Sequence, residues 1–131
     1  MTPEIKVLIG AIVLGFVHIL LASHSASLQR GYRWSASARD EPVAALTGIP
    51  SRLERASRNF AETFPLFAAA VLLINTQGIS NDLTVYSAYT YLAARIAYLG
   101  LYVAGTFFWR SMIWNIATVS IFTMLWGLRW S

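Results

Sequence analysis

The sequence predicts an all-α integral-membrane protein, a four-helix bundle running up, down, up and down, and three observations carry that prediction. Four apolar stretches of near-spanning length follow one another along the 131 residues. Hydrophobic residues make up 56% of the chain against 12% charged, a larger apolar share than a soluble domain carries. The basic residues collect in one connection while another has none, the asymmetry expected of loops on opposite faces of a bilayer. The chain reads as a single domain over residues 1–131, with spans near 5–28, 52–75, 83–108 and 111–130.

The first span begins with the apolar run Ile5 to Ala22, close to the roughly 20 helical residues that a hydrocarbon core of about 30 Å requires. A cleaved signal peptide is the competing reading, since ASHSAS follows. The positive charges, however, come after the run, at Arg30, Arg33 and Arg39, which favours a retained span. Gln29 to Pro50 is polar and contains Gly, Pro and Ser, so it is the longest loop. With the first turns of the next helix it holds Arg30, Arg33, Arg39, Arg52, Arg55 and Arg58, which places it on the cytoplasmic side. The second helix is expected to start at Ser51, where Ser51 and Glu54 have the spacing of a capping box after Pro50. Pro65 should bend it just after Glu62. The next connection, NTQGISND, has no Lys or Arg and belongs outside.

Leu83 to Phe108 is the third span and holds five of the six tyrosines. Tyr86 and Tyr89 have the position of interface-belt aromatics. Trp109, Arg110 and Ser111 end it, and Met112 to Trp130 is the fourth span, with Trp114 near one boundary and Trp126 and Trp130 near the other. Both termini then lie away from the cytoplasm. Alanine, glycine, serine and threonine positions suit close helix packing, and no fixed-period repeat is present.

Two polar stripes interrupt this apolar plan. On the second helix Arg55, Asn59 and Glu62 recur at i, i+4 and i+7, with Arg58 four residues before Glu62. On the third, Tyr91, Arg95, Tyr98 and Tyr102 fall on one face. An ionisable group at membrane depth costs about 3 kcal/mol on insertion scales, so such groups persist where they meet a partner, water or a ligand. Arg52, Arg55 and Arg58 have the reach to snorkel to headgroups, but Asn59 and Glu62 do not. Arg95 needs an acceptor, and Glu62 is the acid available within a span.

These residues suit a small, flexible, multiply charged ligand. Arginines bind carboxylates bidentately, a carboxylate holds an ammonium, and asparagine orients an amide. Glutathione presents two carboxylates, an ammonium, two amides and a thiol, and an arginine or tyrosine hydroxyl beside the thiol favours the thiolate. The chain has no cysteine, so any sulfur chemistry comes in with a substrate. The net charge of +4 is explained by topology rather than by nucleic acid, and His18 and His24, without partnered ligands, do not make a metal site.

RLERASRNFAETFP, followed by ARIAYLGLY and WRSMIW, resembles the MAPEG family, the membrane-associated proteins in eicosanoid and glutathione metabolism, in its bacterial-type form. The family's Arg-Ala-x-x-Asn-x-x-Glu-x-x-Pro signature reads here Arg55, Ala56, Asn59, Glu62 and Pro65, all in register. The resemblance implies a homotrimer in the inner membrane of a bacterial cell, with glutathione held as co-substrate between subunits and open to the cytoplasm. It implies that Arg55, Arg58, Asn59 and Glu62 on the second helix and Arg95, Tyr98 and Tyr102 on the third bind glutathione. Arg110 then matches the arginine that stabilises the thiolate, with Tyr98 and Tyr102 as further catalytic groups. The family's eukaryotic enzymes also use an arginine near the end of the first helix, where this sequence offers Arg30 or Arg33.

The resulting expectation is a glutathione transferase or peroxidase acting on lipophilic electrophiles or hydroperoxides dissolved in the bilayer. Two other classes share the outline. Small multidrug-type transporters have four short spans and an essential carboxylate in the first, where this chain has no acid beyond Glu4 at its start. A non-catalytic membrane scaffold of the same fold is the third.

Overall fold

The computed structural model describes residues 1–129, and among them every regular element is a helix: α1 (Pro3–Arg30), α2 (Tyr32–Ala36), α3 (Gly48–Thr76), α4 (Asp82–Ala104) and α5 (Phe107–Arg129). Three of these, α1, α3 and α5, are long and apolar enough to cross a membrane. The 23 residues of α4 have the length, but its tyrosines and Arg95 lower its apolar character. Trp130 lies outside the described residues.

Each boundary has a local cause. Thr2 caps α1 by accepting from the Ile5 amide, and Pro3 sits where a missing N–H is harmless. α3 starts three residues before the expected capping box, with Thr47 in the N-cap position and Pro50 accommodated in the first turn. Ser51 therefore lies inside the helix, and its hydroxyl accepts from Arg55 instead of capping. α3 then runs unbroken through Pro65. α4 opens with a reciprocal box: Asn81 Oδ1 accepts from the Thr84 amide at 3.0 Å, and Thr84 Oγ1 accepts from the Asn81 amide at 3.0 Å. It closes at Gly105, whose φ of 76° is the left-handed conformation that glycine adopts without penalty. The expected third span to Phe108 is thus too long, and Trp109, Arg110 and Ser111 belong to the first turns of α5.

The polar loop after α1 is not wholly irregular. It contains the short helix α2, and its ends are held together by Gln29, which accepts from the Thr47 amide at 2.9 Å and donates to the Thr47 carbonyl at 3.2 Å. Trp34 Nε1 donates to the Glu41 carbonyl at 3.0 Å, and the Arg30 and Arg39 guanidinium groups lie 5.4 Å and 5.9 Å from the Trp34 ring centroid.

The main core joins Val7, Leu8 and Ala11 of α1, Phe67, Ala70, Val71 and Ile74 of α3, Ala88, Tyr91 and Ala94 of α4, and Ala117, Ile121 and Met124 of α5. Tyr91 belongs here rather than to an open polar face. Its ring stacks on Phe67 at 4.0 Å and its hydroxyl is 3.2 Å from Thr63 Oγ1. Ile12, Val13, Phe16, Ile19 and Leu20 lie exposed along α1, as a lipid-facing surface requires.

Contacts at the two ends fix the sense of each long helix. Glu4, at the start of α1, is fully buried and accepts from Thr84 Oγ1 at 2.6 Å and from Ser80 Oγ at 3.1 Å, beside the start of α4. Asn81 Nδ2 donates to the Gly127 carbonyl near the end of α5 at 3.2 Å. At the opposite end, Arg52 in the first turns of α3 donates to the Val103 carbonyl near the end of α4 at 3.0 Å, which supplies a cation where helix carbonyls run out of partners.

Candidate functional site

The polar stripe of α3 meets that of α4 near the end where Arg52 caps α4. Tyr102 is the centre of the meeting. Arg55 Nε donates to the Tyr102 hydroxyl at 3.2 Å, and the Arg110 guanidinium carbon lies 4.7 Å from the Tyr102 ring centroid. Tyr98 packs edge-on against Tyr102 with centroids 5.5 Å apart. Two guanidinium groups from different helices therefore bracket one phenol, an arrangement that an aromatic face tolerates through cation–π attraction.

One turn deeper, Arg95 is completely buried. Its Nη1 donates to Asn59 Oδ1 at 3.0 Å, and its guanidinium lies 4.9 Å from the Tyr98 centroid and 5.4 Å from that of Phe60. Its Nε and Nη2 have no hydrogen-bond partner. His18 reaches the other side of this layer, stacked on Phe60 at 4.8 Å with both ring nitrogens unpartnered. The layer thus has donors in excess of acceptors.

A cleft of about 210 Å³ opens over these groups, lined by Asn59, Tyr98, Tyr102, Arg110, Trp114 and Asn115, with Ser111 at its edge. Ending α4 at Gly105 is what brings Arg110 into it. A side chain at 105 would meet the Arg52 guanidinium at 3.0 Å, so the tight turn and the cap depend on each other.

Six of the expected site residues thus come together: Arg55, Asn59, Arg95, Tyr98, Tyr102 and Arg110. Two do not. Arg58 is exposed and faces Glu54 at 3.7 Å, the one ion pair among the described residues. Glu62 is exposed: the hydrogen bond of Arg95 goes to Asn59, and Glu62 acts on Arg95 only as a nearby charge. The reason is angular: on the α3 stripe Asn59 falls on the side that faces α4, whereas Glu62, three residues on, is rotated outward.

Three residues of the cleft escaped the sequence reading. Ser111, Trp114 and Asn115 follow Arg110 at i+1, i+4 and i+5 on one face of α5, a spacing that could have been read once α5 was started early enough. Trp114 packs against the Tyr98 and Tyr102 cluster, and its Nε1 is buried without an acceptor. Arg30 and Arg33 lie apart from the cleft, lining a hollow of about 550 Å³ in the polar loop around Trp34.

A profile of the MAPEG family matches residues 7–130 of this chain. The chain belongs to the MAPEG family. Searches among curated proteins and among solved structures returned no match. The MAPEG signature on α3 thus sits on the helix that carries Arg55 and Asn59 into the cleft, and membership supports, at a coarse level, a membrane protein of glutathione-related chemistry.

Proposed function

We propose that this MAPEG protein is an integral-membrane, glutathione-dependent transferase or peroxidase, built as a four-helix bundle and assembled as a homotrimer. The observation that carries the reading is the bracketed phenol: Arg55 and Arg110 meet Tyr102 beside an open cleft, and neither is in an ion pair among the described residues. Uncompensated guanidinium groups at the mouth of a cleft suit an anionic ligand. Arg55 holds a glutathione carboxylate, and Arg110 stabilises the thiolate, with the Tyr98 and Tyr102 hydroxyls as donors to sulfur. Asn59 and Arg95 order the layer beneath.

The stabilised thiolate then attacks a lipophilic electrophile. In conjugate addition a C–S bond forms at the β carbon of an unsaturated carbonyl and a proton is taken up at the α carbon. Most of the rate gain comes from holding sulfur charge in place and from orienting the two reactants. Glu62, exposed in the middle of α3 and in no ion pair among the described residues, supports the trimer: a neighbouring copy covers it and completes the site with its acceptor. The arginine-bearing loop faces the cytoplasm and both termini face away from it. A transporter's essential carboxylate is not matched by Glu4, which is engaged by Ser80 and Thr84 at the extreme end of α1.

An ultraviolet titration of the bound thiolate, run beside an equilibrium binding measurement, tests the assignment. Arg110→Ala loses the thiolate absorbance at neutral pH while keeping most of the glutathione affinity. Arg55→Ala weakens binding. Thiolate retained in Arg110→Ala moves the role to Tyr98 or Tyr102, and wild-type protein that binds no glutathione ends the reading.

A further inference from the structure

The connection between α1 and α3 carries positive charge that the chain itself does not answer. Arg30 and Arg39 both stack on Trp34, at 5.4 Å and 5.9 Å from its ring centroid, and Arg33 lines the same hollow of about 550 Å³. Each cation is attracted to the indole, but two on one ring repel each other. Asp40 and Glu41 line the hollow as well, yet none of the three arginines is in an ion pair among the described residues.

Arg30 is half-buried, and its Nε is enclosed without a hydrogen-bond partner. Arg39 is the one described non-glycine residue with a positive φ, 62°, a conformation that costs energy and that here is held by its amide donating to Ser37 Oγ at 3.1 Å. Its guanidinium donates back to the Ser35 carbonyl at 3.1 Å and 3.2 Å, which leaves it over the ring. Arginine nitrogens only donate, so the group that completes this cluster is an acceptor with several oxygens and negative charge.

A second hollow, of about 290 Å³, shares Arg30, Trp34 and Arg39 with the first and continues along α1 past Ser27, Ser23 and Ala22 to Ile19. Small side chains line it there, and Ile19 is exposed at its far end. Glu54, on the α3 side of this furrow, faces Arg58. From Arg30 to Ile19 the helix spans about 16 Å, at about 1.5 Å per residue. An isolated anion fills the arginine end alone. An amphiphile with an anionic head fills both.

We propose that the two hollows are one binding site for an anionic phospholipid, its phosphate held by Arg30, Arg33 and Arg39 beside Trp34 and an acyl chain laid along α1 toward Ile19. Arginines just beyond a membrane helix meet the phosphates of an acidic leaflet, and tryptophan sits at headgroup depth. The site is separate from the arginine and tyrosine cleft, with which it shares no residue.

Native mass spectrometry of the delipidated, detergent-solubilised protein, titrated with phosphatidylglycerol or phosphatidylcholine, tests the site. Phosphatidylglycerol is expected to bind about tenfold more tightly, and Arg30→Gln and Arg39→Gln each to weaken that preference about fivefold, the scale of one basic residue at a lipid surface. Either variant suffices if the other fails to fold. Ser23→Leu, which fills the furrow, weakens phosphatidylglycerol while keeping every arginine. Arg129→Gln is the control: it removes an arginine that also stacks on a tryptophan, Trp126, at the far end of α5, and it leaves the preference unchanged. Equal binding of the two lipids, or an equal loss in Arg129→Gln, makes the effect general surface charge and overturns the site. Displacement by millimolar inorganic phosphate, with Ser23→Leu silent, makes it a free-anion site and overturns the lipid. Glutathione, added last, should displace nothing; if it does, the arginines belong to the thiol ligand and the proposal falls.

Discussion

Glu4, in the first turn of α1, and Arg95, near the middle of α4, are both fully buried, and their surroundings differ. Glu4 accepts from Ser80 and Thr84, and it lies at two helix N-termini, those of α1 and α4, whose dipoles favour a negative charge. Arg95 has a single hydrogen bond, to Asn59, and two nitrogens without a hydrogen-bond partner. Around Glu4 every nearby polar group is used: Asn81 caps α4 and also ties α5 at Gly127. Around Arg95 the extra polar groups, His18 and Trp114, are also unsatisfied. A buried charge with a full set of partners holds helices together. A buried charge left short of acceptors keeps donors open, and the proposed function gives them a ligand.

The contrast can be broken first at Arg110. Its removal should lower turnover by about a hundredfold to a thousandfold, the range for losing one preorganised charge stabiliser, while the apparent melting temperature in detergent stays near that of the wild type. Next in size is Glu4→Ala, which removes the carboxylate that accepts from the Ser80 and Thr84 hydroxyls and should cost about 2 to 3 kcal/mol of stability, since hydrogen bonds to a charged group are lost. Glutathione affinity should hold. A Glu4 variant as stable as the wild type, or one that loses glutathione, dissolves the division between the two regions.

Gly127→Ala probes the same end by packing. The added methyl would come within 2.9 Å of the Thr84 methyl, and Thr84 is pinned by its bonds to Glu4 and Asn81. A loss of about 1 to 2 kcal/mol in chemical unfolding is expected for such overpacking. Smaller again is the link between Asn59 and Arg95. A double-mutant cycle with Asn59→Leu and Arg95→Met should return about 1 kcal/mol of coupling, against a smaller coupling for Glu62→Gln with Arg95→Met, which share no hydrogen bond. The smallest effect belongs to Arg58→Ala. Its pair with Glu54 is exposed on both sides, so thermal stability should change by less than about 0.5 kcal/mol.

Much of the fold could be read from the chain because the apolar runs are long and the polar stripes follow helical spacing. Arg55, Asn59, Arg95, Tyr98 and Tyr102 were legible for that reason: residues at i, i+4 and i+7 share a face whatever they pack against. What the spacing cannot say is how far each helix is turned toward its neighbour, and that is why Asn59, not Glu62, reaches Arg95. Glu4 was hidden differently. An acid in a first turn is ordinary, and its partners Ser80 and Thr84 lie 76 and 80 positions away. The turn at Gly105 carried a readable signal, a glycine after an apolar helix, but the aromatic run that follows concealed it.

The hydrogen bonds between Gln29 and Thr47 have a consequence for how the molecule can vary. They bring the two ends of the arginine-bearing connection to one point, so its interior is an excursion that leaves and returns without setting the spacing of α1 and α3. Doubling the length of such a closed excursion adds only about 0.6 kcal/mol of closure entropy. The segment between these residues can therefore be lengthened, exchanged or made to carry a grafted peptide while the membrane helices keep their register. It is the place in this chain where new surface can be added at least structural cost.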